Sequence, residues 1–103
     1  MMNFEVLTIE GCPHGAEATR RLEAALAADG RAAAVLQRSI TTAADASSTA
    51  FAGSPTITFA GRDLFPSDGR TSALACRVYA TPAGLASAPT VEQLRVAIGE
   101  LPG

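Results

Sequence analysis

The chemistry open to this sequence centres on two cysteines and a single histidine. Cys12 stands in the run Gly11-Cys12-Pro13-His14-Gly15, after an apolar stretch and ahead of a helical pattern. A cysteine at the N-cap or first turn of a helix meets free backbone N–H groups and the positive end of the helix dipole. Both favour the thiolate, which is the nucleophile and the soft-metal ligand. Pro13 suits the first helical position, where its missing N–H costs nothing. His14, as a cation near neutral pH, would stabilise a Cys12 thiolate. The plainer alternatives are that Cys12 is a small buried hydrophobe and that His14 merely starts a helix in solvent.

Cys76 is the second thiol. It lies in Leu74-Ala75-Cys76-Arg77-Val78-Tyr79, where Arg77 and Tyr79 alternate with it and could line a pocket. A buried apolar cysteine and a surface arginine are the competing readings of these two positions. Two thiols and one histidine fall short of the four ligands of a closed zinc site, so no structural metal and no cofactor are expected. No Ser–His–Asp set, paired carboxylates or Gly-rich phosphate loop is visible. Every cation is an arginine, which excludes Schiff-base lysine chemistry and a P-loop lysine.

The elements that must position these residues can be read from periodicity. Phe4 to Ile9 is a short apolar strand. Ala18, Leu22, Ala25 and Leu26 form the stripe of a helix that stops at Asp29-Gly30. Ala33 to Ile40 reads as a second strand. A short helix over Thr42 to Phe51 would be capped by Thr41 or Thr42. Ile57-Thr58-Phe59 is a third strand, and Gly61-Arg62-Asp63 turns the chain into a fourth at Leu64-Phe65. Residues 66–89 are too long for a plain connection and form an insertion. Thr90 opens a last helix with Val91, Leu94, Ile98 and Leu101 on its apolar face. The order is β-α-β-α-β-β-α, an α/β fold with a central four-stranded mixed sheet flanked by helices, in one domain over residues 1–103.

Composition bounds the partners. Hydrophobic residues make up 48% of 103, which supports a packed globule, and the net charge is −2 with no basic run. A nucleic-acid backbone is therefore not an expected partner. No stretch reaches the ~18 apolar residues of a membrane span, so no membrane partner is expected. The N-terminus lacks a basic and apolar leader, so the expected location is cytoplasmic. The alanine-rich, lysine-free composition suggests a high-GC bacterial genome.

Two motifs in these slots, Cys12-Pro13-His14 after the first strand and Gly53-Ser54-Pro55-Thr56 before the third, resemble the thioredoxin superfamily. A narrower likeness, to small bacterial thioredoxin-like and alkylmercury-lyase-like proteins, rests on Gly53-Ser54-Pro55-Thr56, Asp63-Leu64-Phe65-Pro66 and Cys76-Arg77-Val78-Tyr79. The resemblance implies a thioredoxin-like fold with a cis Pro55 facing Cys12. It implies a substrate ledge formed by Ser54, Pro55 and Thr56, with Pro13 and Arg77 beside it. The chain departs from Cys-x-x-Cys at Gly15, so a resolving thiol must come from elsewhere. In the implied topology the insertion leaves the sheet at the Cys12 end, which makes Cys76 the candidate. The expected function is thiol-based redox or thiol transfer with Cys12 as nucleophile. Its partner would be a small-molecule thiol or a disulfide-bearing protein. The alternatives are capture of a soft metal ion or mercurial by Cys12 and Cys76, and a non-catalytic interaction domain.

Overall fold

Alternation of apolar residues from Phe4 sends Phe4 and Val6 to one side of a strand and Leu7 to the other, and all three are buried. In the computed structural model, which describes residues 3–31, 33–66 and 74–101, this strand, β1 (Phe4–Thr8), lies inside the main sheet. Helix α1 (Gly15–Ala28) follows and leads to β2 (Val35–Ser39), which pairs parallel to β1. The short α2 (Ala43–Ser47) precedes β3 (Thr56–Phe59), which runs antiparallel to β1 on its other side. β4 (Arg62–Asp63) pairs antiparallel with β3 and completes the order β2-β1-β3-β4. A separate two-stranded hairpin, β5 (Tyr79–Thr81) and β6 (Gly84–Ala86), leads into α3 (Val91–Gly99).

The core divides along the β1 alternation. On one face Phe4, Val6 and Ile57 pack with Ala18, Leu22, Ala25 and Leu26 of α1 and with Leu94 and Ile98 of α3. The helical stripe expected from spacing is therefore the buried one. On the other face Leu7 and Ile40 meet Ala46 of α2 and Phe51. Thr90 caps α3: its hydroxyl accepts from Gln93 N–H at 3.1 Å, and the Gln93 side chain accepts from Thr90 N–H at 2.9 Å. This reciprocal pair satisfies two N–H groups that the helix would otherwise leave orphaned. Thr42 caps α2 by accepting from Asp45 N–H at 3.0 Å.

Several boundaries differ from those read in the sequence. α1 begins at Gly15 with His14 as its N-cap, so Cys12 precedes the helix instead of capping it, and Pro13 is not its first residue. The reason is local: Cys12 N–H turns back to the Ile9 carbonyl at 3.2 Å, and the first helical bond runs from Ala18 N–H to the His14 carbonyl. The fourth strand starts earlier than Leu64. Ala60 and Gly61 both take positive φ (53° and 81°) and make a two-residue turn, which pairs Arg62 with Phe59. A two-residue hairpin with both central residues at positive φ matches the strand twist. Leu64 N–H still reaches the Ile57 carbonyl, and Asp63 then accepts from Phe65 N–H at 2.9 Å and ends the run. The helix expected over Thr42 to Phe51 closes at Ser47. Within the insertion expected at residues 66–89, the described part contains the β5–β6 hairpin, which spacing alone did not reveal; residues 67–73 lie outside the described residues. No helix among the described residues is long and apolar enough to cross a membrane.

Candidate functional site

The turn between β1 and α1 carries Cys12, which is half-buried. Gly15, the position of the second cysteine in Cys-x-x-Cys, is buried against β1. A Cβ there would lie 2.6 Å from Thr8 Cγ2, so a side chain at this position requires the stiff, β-branched Thr8 to shift. His14 is half-buried at the N-cap, and its side chain makes no capping hydrogen bond.

Ser54 links this turn to the rest of the site. Its hydroxyl accepts from Ile9 N–H at 3.1 Å, and the Ile9 carbonyl in turn holds the Cys12 N–H. On its backbone Ser54 forms a parallel bridge with Cys76. Ser54 N–H donates to the Ala75 carbonyl at 2.8 Å, and Arg77 N–H donates to the Ser54 carbonyl at 2.9 Å. Ser54 thus links the β1–α1 turn, through Ile9, to the strap, residues 74–79, that carries Cys76. Both thiols are free, and Cys76 is exposed.

The Ser54–Pro55 bond is cis. The ledge expected at Ser54, Pro55 and Thr56 is nevertheless closed, because all three residues are buried. The Thr56 hydroxyl is used internally, donating to the Gly53 carbonyl at 2.5 Å and accepting from Ala52 N–H at 3.0 Å. Both backbone groups of Ser54 are taken by the strap.

Arg77 also departs from expectation. It is neither a surface residue nor free to line a substrate pocket, because its side chain is only 7% exposed. One guanidinium nitrogen donates to Asp63 Oδ2 at 2.7 Å, another donates to the Phe65 carbonyl, and the group lies 4.5 Å from the centre of the Tyr79 ring. Tyr79 is buried beside it and donates its hydroxyl to the Pro55 carbonyl at 2.6 Å. Phe65 meets the Tyr79 ring edge-on at 5.6 Å. The Asp63–Arg77–Tyr79–Pro55 network was not anticipated from the sequence. The signal available was the alternation Cys76-Arg77-Val78-Tyr79: Arg77 and Tyr79 are buried, Cys76 and Val78 exposed.

Burial pushes the Tyr79 phenol well above its ordinary range, with the Arg77 cation pulling weakly the other way. Because the folded-state value lies above the unfolded one, the stability Tyr79 contributes is complete below the unfolded pKa of ~10 and is lost as pH rises through the folded value. Tyr79 is the only tyrosine, so the tyrosinate absorbance reports it alone. That absorbance should stay silent past the normal phenol range and then rise together with unfolding. An ordinary phenol titration in the folded protein would contradict the buried placement.

Two depressions, of about 590 Å³ and 330 Å³, lie along β4 and α3, the larger between Phe59, Leu64, Ala97 and Leu101, and neither cysteine lines them. Among the described residues no three His, Cys, Asp or Glu side chains group in a way that could hold a metal ion. Compared with known proteins, the chain matches no family model, no curated protein and no solved structure.

Proposed function

We propose that the chain is a thioredoxin-like thiol protein in which Cys12 is the nucleophile and Cys76 the second thiol. The observation that carries this reading is the convergence on Ser54: Ile9, which holds the Cys12 turn, bonds its hydroxyl, and the residues flanking Cys76 bond its backbone. The strand order β2-β1-β3-β4, with β2 parallel and β3 antiparallel to β1, supports the fold, as does the proline that leads into β3.

The chemistry balances as a two-electron exchange. The Cys12 thiolate attacks a disulfide RSSR, giving Cys12–S–SR and releasing RS⁻. The Cys76 thiolate then attacks the Cys12 sulfur, closing a Cys12–Cys76 disulfide and releasing the second RS⁻. The two protons lost by the cysteines end on the two RSH molecules.

Mass spectrometry of the reduced protein mixed with hydroxyethyl disulfide tests this. The wild type should lose two hydrogens without dimerising, Cys76→Ser should accumulate a mixed disulfide on Cys12, and Cys12→Ser should lack the fast phase of thiol release. Adducts found only on Cys76, with Cys12 unmodified, would overturn the assignment.

The same pair of free thiols around Ser54 supports a second reading, two-coordinate capture of a soft cation by thiolates. Titration with mercuric ion would then saturate at one ion per chain, and either single serine variant would abolish the tight phase. A protein that neither exchanges disulfides nor retains mercuric ion would be a non-catalytic interaction domain.

A further inference from the structure

We propose that this thiol site serves low-molecular-weight disulfides and excludes protein disulfides, because the chain's own strap already occupies the backbone against which a polypeptide would dock. The inference rests on the thiol reading above and narrows its substrate class.

A polypeptide substrate is held at such a site chiefly by main-chain pairing with an exposed backbone edge. Against the turn that carries Cys12 that edge would be Ser54, whose hydroxyl holds Ile9 N–H, and both of its backbone groups are taken, the N–H by the Ala75 carbonyl and the carbonyl by Arg77 N–H. Ser54 itself is fully buried. The strap is also difficult to lift. Arg77 is anchored by Asp63 and the Phe65 carbonyl, and Tyr79, two residues on, is anchored by the Pro55 carbonyl. The Gly53 backbone lies directly under Arg77, so close that a Cβ at Gly53 would come within 2.7 Å of Arg77 Cβ. Peeling the strap away would break these hydrogen bonds and expose the buried Tyr79 ring, which disfavours an open state. A small disulfide needs none of this pairing. It must bring only one sulfur to Cys12, which is half-buried and not sealed, and the exposed Cys76 is already held beside Ser54 to complete the exchange.

The test uses the full reduced chain with equal disulfide equivalents of hydroxyethyl disulfide or insulin. Each rate is divided by that of a free small-molecule thiol with the same disulfide. The two hydrogen bonds that a peptide cannot make set about fivefold as the least ratio expected in favour of hydroxyethyl disulfide. Amide hydrogen exchange at Ser54 and Arg77 is followed in the same mixtures and should stay slow with insulin present. Equal corrected rates, or loss of protection at these two amides when insulin is added, would overturn the selectivity and leave the thiol reading standing. If neither disulfide reacts faster with the wild type than with Cys12→Ser, the thiol reading fails and this inference falls with it.

Discussion

Asp63→Ala is expected to destabilise the fold by about 3 kcal/mol or more, the size of effect seen when one partner of a buried ion pair is removed. The Asp63 and Arg77 side chains are only 12% and 7% exposed, and their nitrogen and oxygen are 2.7 Å apart. With the carboxylate gone, the guanidinium keeps the Phe65 carbonyl and the Tyr79 ring but has no counter-charge among the described residues. The Phe65 N–H also loses its acceptor, Asp63 Oδ1. Arg77→Met should cost less, because Asp63 is the more solvent-accessible partner and keeps its bond to Phe65. The Asp63→Ala/Arg77→Met double variant should then recover part of the loss of Asp63→Ala, since an apolar replacement removes the uncompensated charge. Urea unfolding at constant m gives the three values, and the double-mutant cycle isolates the coupling. A loss from Asp63→Ala below about 1 kcal/mol would mean that the pair behaves as a surface salt bridge.

This pair also marks where the sequence stopped being informative. Periodicity located α1, because Ala18, Leu22, Ala25 and Leu26 recur on one face and that face is buried. Thr90 and the spacing of Val91, Leu94, Ile98 and Leu101 announced α3 because a cap and a helical stripe are local devices; the reciprocal bond to Gln93 came with the coordinates. The Gly53-Ser54-Pro55-Thr56 run was read as the approach to β3 through its resemblance to the thioredoxin superfamily. Asp63 and Arg77 are fourteen positions apart, and their pairing depends on where the strap crosses the sheet, which no local pattern encodes. The same ignorance turned the buried Ser54-Pro55-Thr56 stretch into an expected docking ledge: the segment that covers it comes from more than twenty positions downstream. Cys12 was misplaced by a smaller effect. Pro13 is compatible with a first helical position, yet Cys12 N–H bonds back to Ile9 and delays the helix to Gly15. The missing second cysteine was plain in the sequence, but the close approach of Gly15 to the Thr8 methyl needed coordinates.

Gly53→Ala should be the second severe substitution, and its damage should begin at the candidate site. Gly53 has φ +109°, a sparsely populated region where a side chain costs about 1–3 kcal/mol. Its new Cβ would also meet Arg77 Cβ at 2.7 Å, Cα at 3.0 Å and N at 3.1 Å. Two of these three atoms are backbone, in a segment pinned by the Arg77 guanidinium, so rotating a side chain cannot relieve the contact. Overpacking of this kind adds about 1–3 kcal/mol. Gly84→Ala is the control, because Gly84 has nearly the same φ, +108°, and nothing within 4 Å of its Cβ position. Gly84→Ala should therefore show the backbone cost alone, and Gly53→Ala should exceed it by the clash. The excess should appear first as faster amide exchange at Ser54 and Arg77, whose mutual bonds break if the strap shifts. The α1–α3 core lies on the face built by Phe4, Val6, Leu22, Leu94 and Ile98 and should keep its protection longest. Urea midpoints and residue-resolved exchange on the two variants decide the matter. Equal losses for Gly53→Ala and Gly84→Ala would mean that the strap is not seated on Gly53, and the closed backbone at Ser54 would lose its support.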